Sequence, residues 1–158
     1  MFLEDANYPI KILGVFRICR QYCRKYTEKR NIHVISYRLN GESEFEQEGK
    51  TLTVANGDIL YVPQGVDYRQ CGDRETVIAV HLEILGAEFS EMERFSVREP
   101  KLADDLFQRL YEEWTRQNPG YEFSCHAILY EILALAAREK NYRENRREMQ
   151  SEIQRAVR

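Results

Sequence analysis

The stretch Gly57-Asp58-Ile59-Leu60-Tyr61-Val62-Pro63-Gln64-Gly65-Val66-Asp67-Tyr68 decides the fold of this chain. A glycine, five residues, Pro-x-Gly and two more residues suit a tight corner between strands. Glycine takes backbone angles that other residues resist, and proline ends a hydrogen-bonded ladder where the chain must turn. That frame is explained by structure alone. Tyr68, which closes it, is the position where chemistry can enter.

Toward the N-terminus, Asn56-Gly57, Gly49-Lys50 and Asn40-Gly41 mark turns at intervals of about eight residues. They bound Thr51 to Ala55, Glu42 to Glu48, and the β-branched and aromatic run Ile32 to Leu39. Spacing this short favours an antiparallel meander, because parallel strands need crossovers of roughly a dozen residues or more. Toward the C-terminus, Thr76 to Ile84 alternates, with Ile78, Val80, Leu82 and Ile84 on one face and Val77, Ala79, His81 and Glu83 on the other. The more apolar face is expected inside, which directs His81 away from the interior. The region from Ile12 to Leu85 therefore reads as all-β.

After Pro100 the hydrophobic period changes. Leu102, Leu106, Leu110 and Trp114, with Ala103 and Phe107, form a helical stripe that Asn118-Pro119-Gly120 ends. A second helix is expected from Glu122 to Lys140, with Phe123, Ala127, Ile128, Ile132, Leu135 and Ala136 on a broad apolar face. A face this wide has two readings: ordinary core packing, or contact with a second subunit, for which Ile128, Ile132 and Leu135 are the dimerisation candidates. From Asn141 to Gln150 the chain is nearly all polar, as in a solvated helix face or a linker, and Ile153, Ala156 and Val157 restart a helical pattern.

The totals exclude several classes. The 158 residues suit one well-buried domain with a helical appendage, and 43% apolar with 31% charged residues is near the globular average. A net charge of −3 gives no overall electrostatic footprint for nucleic acid. No apolar run is long enough to span a bilayer and the first residues lack a signal-peptide pattern, so a cytoplasmic protein with no membrane partner is expected. Cys19, Cys23, Cys71 and Cys125 match no zinc or redox spacing and are read as reduced thiols.

Gly57, Pro63 and Gly65 stand at the intervals of the second cupin motif, with Tyr68 at its histidine position. Anchoring the first cupin motif on Gly41 puts Val34 at its glutamate position, and either Thr27 and Lys29 or Glu28 and Arg30 at its two histidines. Neither alignment supplies imidazole and carboxylate ligands for a metal, and His33, His81 and His126 are the chain's only histidines. No metal and no other cofactor are expected. Glu42, Glu44, Glu46 and Glu48 share one strand face, but a repeat of like charges is the usual solvated side of a sheet. No nucleophile elbow, phosphate loop or dinucleotide fingerprint is present, so no catalytic residue is assigned.

With the helices added, the chain resembles the N-terminal sensor domain of AraC-type transcription regulators. The resemblance covers about Val15 to Val157 and is sharpest from Asn31 to Ile84. It implies a mainly β fold: a cupin-like (double-stranded β-helix or jelly-roll) barrel followed by a C-terminal α-helical hairpin. It further implies a barrel with an N-terminal arm over residues 1–98, a dimerising hairpin over 99–140, and over 141–158 a linker and the start of a missing DNA-binding domain. In such regulators the barrel binds a small effector, often a sugar or related metabolite, the hairpin makes a homodimer, and DNA is met only through a C-terminal helix-turn-helix domain. The competing readings are a small cupin enzyme, such as a metal-independent sugar isomerase or epimerase, and a stand-alone binding module.

If Val34 points inward, alternation sends Ser36 and Arg38 inward too, and His33, Ile35 and Tyr37 the other way. Arg38 inside a barrel needs a partner, water or an acidic ligand; alternatively it reaches solvent at the strand end. Tyr68 is either a phenol that hydrogen-bonds and stacks against a ligand or an aromatic plug. Gln70, by parity with Tyr68, and Arg17, on the early strand Val15 to Ile18, complete the ligand-binding candidates.

Overall fold

The computed structural model describes residues 7–86 and 88–157, without the side chain of Cys23. The first six residues of the expected N-terminal arm lie outside it. Nine strands precede two helices: β1 (Ile10–Arg20), β2 (Cys23–Thr27), β3 (His33–Asn40), β4 (Ser43–Gln47), β5 (Lys50–Val54), β6 (Asp58–Val62), β7 (Tyr68–Gly72), β8 (Glu75–Ile84), β9 (Glu93–Ser96), α1 (Pro100–Arg116) and α2 (Tyr121–Ala156). The fold is a jelly-roll barrel of two antiparallel sheets with a C-terminal helical hairpin. One sheet has the order β1-β8-β3-β6-β9, the other β2-β7-β4-β5.

The opening stretch makes its corner as expected. Gly57 has φ +89° and donates its N–H to the Arg38 carbonyl at 2.8 Å, while Gly65 donates to the Arg30 carbonyl at 2.9 Å. Gly41, φ +90°, has no room for a side chain, since a Cβ there would collide with the Arg74 carbonyl oxygen. This close approach brings the end of β3 beside the start of β8.

Two apolar cores divide the molecule. One lies between the sheets and contains Val34, Phe45, Val54, Leu60, Val62, Tyr68 and Ala79. The other lies outside the barrel, between the five-stranded sheet and the helices. There Ile35, Tyr37, Ile78, Val80, Leu82 and Ile84 meet Leu106, Phe107 and Leu110 of α1 and Ile128, Leu129 and Ile132 of α2. Tyr37 stacks on Phe107 at 5.2 Å and donates its hydroxyl to the Pro100 carbonyl at 3.2 Å.

Two expectations are corrected here. The apolar face of β8 is buried, but against the helices; Val77, Ala79 and His81 are the residues that face the barrel interior. The five-stranded sheet is covered on both sides, so the drier face went to the helices and His81 points in, not out. Likewise Ile128, Ile132 and Leu135 are 5%, 0% and 4% exposed within a single chain. They belong to the core that joins α2 to α1 and the sheet, and cannot present a dimer interface.

The second helix also runs past Lys140 without a break. Asn141 to Ala156 continue α2, so of the two readings of the polar segment, solvated helix face and linker, the described residues form the helix. The base of this extension is fastened to β9 by Lys140 with Glu93 at 3.5 Å, and just past β9 by Glu139 with Arg98 at 3.1 Å. At the other end, His126 accepts the Ile12 N–H on Nε2 at 3.2 Å, and its Nδ1 lies 2.6 Å from the Glu122 carbonyl. Those partners place the ring's donor at Nδ1 and its acceptor at Nε2.

Candidate binding cavity

The barrel interior holds a cavity of about 70 Å³. From β3 come Val34, Ser36 and Arg38, held opposite His81, Ala79 and Val77 of β8 by the antiparallel register. From β7 come Tyr68 and Gln70, facing Thr27 and Lys25 of β2. Ile18 and Arg20 of β1 and Arg30 of the β2–β3 loop complete the lining. Four of the five sequence-predicted ligand residues, Ser36, Arg38, Tyr68 and Gln70, therefore line one cavity. Arg17 does not. It is exposed and pairs across from Ile78, on the face opposite the cavity, because Ile18 and Arg20 are the β1 residues that turn inward.

Arg38 is 3% exposed and has the partner that its burial demands. Its Nη1 donates to Glu75 Oε2 at 2.8 Å, and Glu75 Oε1 accepts from Arg20 Nη1 at 2.9 Å. Glu75 Oε2 also accepts from Gln70 Nε2 at 2.8 Å and Ser43 Oγ at 3.2 Å. Burial alone would raise the Glu75 pKa, but the hydrogen bonds and charges of Arg38 and Arg20 outweigh it and hold the carboxyl below its ordinary range. The Arg38 Nε, by contrast, is buried with no partner among the described residues.

At the other end Arg30 Nη2 donates to the Tyr68 hydroxyl at 2.7 Å, with its guanidinium 5.9 Å from the ring centre. Tyr68 packs on Phe45 at 5.9 Å in the inner core and also lines the cavity. Burial, and then the charge of Arg30, lower the His81 pKa, which favours a neutral ring at pH 7.

The lining carries a marked charge excess. Arg20, Lys25, Arg30 and Arg38 face one carboxylate, Glu75, inside a chain whose net charge is −3. Sequence reasoning did not pick out Glu75, Arg20, Lys25, Arg30 or His81. Arg30 had a signal, since one alignment of the first cupin motif put it at a ligand position. Glu75 shared parity with Val77, but that face of β8 was assigned to the outside. Among the described residues no three His, Cys, Asp or Glu side chains gather as a metal-binding group. The alternating glutamates stand apart from the cavity: Glu44 and Glu46 are exposed on β4, while Ser43 and Phe45 are buried.

No protein-family pattern matches the sequence, and no curated protein is significantly similar to it. Solved structures do resemble the chain. The AraC-like transcriptional activator CuxR matches at 12% identity with a TM-score of 0.58, over 84% of this chain and 56% of that one. YhaK from Escherichia coli matches at 14% identity, TM-score 0.45, over 56% and 44%. A DUF861 family protein from Thermotoga maritima matches at 19% identity, TM-score 0.35, over 53% and 83%. At 12% identity the likeness to the activator shows the fold alone, a jelly-roll barrel with helices behind it. The chain spans about half the length of the activator, and the 84% match is more than the strands alone could supply, so the likeness includes helices.

Proposed function

We propose that this chain is the effector-sensing and dimerisation domain of an AraC-type transcription regulator, and that its effector is a small anionic or acid-bearing metabolite. The observation that carries the reading is the cationic barrel interior, where four basic side chains and one carboxylate surround a cavity with an unpartnered Arg38 Nε. Arg38, the buried one of the four, costs stability unless its donors are satisfied, and a carboxylate or phosphate accepts from several guanidinium donors at once. The likeness to an AraC-like activator across barrel and helices supports the regulator over a free-standing enzyme. DNA contact in this reading belongs to a helix-turn-helix domain outside the residues described.

The cavity of about 70 Å³ has room for two or three water molecules. A sugar-sized effector must therefore displace side chains, and the Arg30–Tyr68 pair is the one that can open, because Arg30 is only half-buried while Arg38 is locked to Glu75. Effector binding is then coupled to movement of the β2–β3 loop. A thermal-shift screen should find stabilisation by hydroxy acids or sugar acids over neutral sugars, since a ligand specific for the native state raises its stability. Arg30→Gln should weaken the best ligand about tenfold or more, the scale of one charge-assisted hydrogen bond. Preference for neutral sugars, or unchanged affinity in Arg30→Gln, would sink the anionic effector.

The homodimer is proposed not on Ile128, Ile132 and Leu135 but on the exposed edge of the same broad face of α2. Phe123, Ala127, Tyr130 and Ala134 are exposed at spacings of four, three and four residues, forming a stripe in which two alanines let a second helix approach closely. Phe123 is 85% exposed, an unusual position for a phenylalanine in an isolated subunit. Sedimentation velocity should give a dimer, and Tyr130→Glu a monomer with unchanged thermal stability. A wild-type monomer at high concentration would remove this interface.

A further inference from the structure

A second concave site lies away from the barrel interior, between β9 and the middle of α2, with a volume of about 360 Å³. It shares no lining residue with the inner cavity. Five arginines line it against one carboxylate, Glu139. On α2 the lining residues Glu139, Tyr142, Arg143, Arg146 and Arg147 recur every three or four positions, so a single helix face presents them.

Several of these groups are held before any ligand arrives. Arg98 Nε donates to both Glu139 oxygens, at 3.1 and 3.2 Å, and its guanidinium lies 3.7 Å from the centre of the Tyr142 ring. Fixed from that side, its two terminal nitrogens have no hydrogen-bond partner among the described residues. Arg143 donates from Nη1 to the Arg94 carbonyl at 3.1 Å, and its Nε is buried with no partner among the described residues. Arg146 lies over the same tyrosine at 6.0 Å, and neither it nor Arg147 makes an ion pair among the described residues.

We propose that this groove binds a phosphate-bearing small molecule, its phosphoryl oxygens held by Arg98, Arg143, Arg146 and Arg147. A solvated helix face would not account for arginines anchored by stacking and by a buried carboxylate with their outer nitrogens left open. A lone carboxylate ligand would satisfy one guanidinium fork, whereas a phosphoryl group offers three oxygens to several. The volume of the groove lies within the range of small-molecule sites.

Calorimetry on the chain with inorganic pyrophosphate tests this directly. One pyrophosphate should bind per chain, with affinity that falls as salt rises, and the double variant Arg146→Gln/Arg147→Gln should weaken it on the order of tenfold to a hundredfold. Both residues are exposed, so the variant should keep its melting temperature. Arg30→Gln in the barrel should leave pyrophosphate binding intact. No heat at millimolar pyrophosphate, equal affinity in the double variant, or loss in Arg30→Gln instead would each overturn the proposal. So would binding of random duplex DNA without binding of pyrophosphate.

Discussion

The two faces of the five-stranded sheet are both buried, yet they are built from opposite chemistry. On the helix side, Ile35, Tyr37, Ile78, Val80 and Leu82 pack into a continuous apolar layer with α1 and α2. On the barrel side, the same strands contribute Ser36, Arg38, Glu75 and His81 to a cavity. Burial alone thus does not say which face is the structural core. The helix face holds the fold together, and the barrel face spends part of that stability to keep charges out of water.

The largest effect should come from breaking the dry face. Phe107 is fully buried and stacked on Tyr37, so Phe107→Ala should cost about 3–5 kcal/mol in urea unfolding, the range for losing a buried aromatic ring. A loss under about 1 kcal/mol would mean that the helices are not part of the cooperative unit.

The charged face should respond less to shape and more to pairing. Glu75→Gln keeps the volume but leaves Arg38 without a counter-charge, at a cost of about 3 kcal/mol. The sharper comparison is Arg38→Met with Glu75→Met, which removes the buried pair together. If the pair exists for ligand binding and not for the fold, the double variant should recover most of that loss while effector binding disappears. A double variant as unstable as the sum of its singles would make the network structural. Arg38→Ala alone cannot separate these roles, because it breaks a buried ion pair as well as removing a donor.

These contrasts explain how much the sequence could tell. The turns at Asn40-Gly41 and Asn56-Gly57, the alternation of β8 and the period change at Pro100 each rest on local chemistry and gave the antiparallel meander and the two helices, while the barrel came from the resemblance carried by Gly57, Pro63 and Gly65. Ser36, Arg38, Tyr68 and Gln70 were legible because strand parity carries a side chain's direction from one anchor, Val34 or Tyr68. Parity without an anchor failed. On β8 the more apolar face looked like the inside, and on β1 Arg17 was selected with no anchor to say which side turns in; nothing local reveals that helices distant in sequence cover the outside of the sheet. The same blindness put Ile128, Ile132 and Leu135 at a dimer interface when α1 and the sheet already cover them. Glu75 could not be selected, since its role depends on Arg20, Arg38 and Gln70 arriving from three other strands.

Acid should loosen the molecule in two stages. Burial lowers the pKa of His33, and burial and then Arg30 lower that of His81, so the unfolded chain takes up protons more readily than the folded one. Stability is therefore lost first as pH falls below the ordinary histidine value of 6.5. Glu75 follows: its folded pKa lies below 4.5, so its contribution is complete above that value and lost as pH falls through the lower one. Denaturant titrations at pH 7.5, 5.5 and 4 should show both steps. His33→Gln with His81→Gln should flatten the upper step and spare the lower; a slope unchanged between pH 7.5 and 5.5 would assign it to other groups.

The smallest effect belongs to the outer face of the four-stranded sheet, which no helix covers. Glu46 is exposed there, paired across the sheet with Thr51 and Arg69. Solvent screens its charge and holds its side chain loosely, so Glu46→Ala should change stability by less than about 0.5 kcal/mol. Effector affinity should be unaffected, since Glu46 does not line the inner cavity. Such silence is informative beside Glu75: two glutamates on strands of one barrel, one replaceable and one not, would locate the chemistry on the inward side of the strands. A large effect of Glu46→Ala on ligand binding would instead give the alternating acids of β4 a role that their exposure argues against.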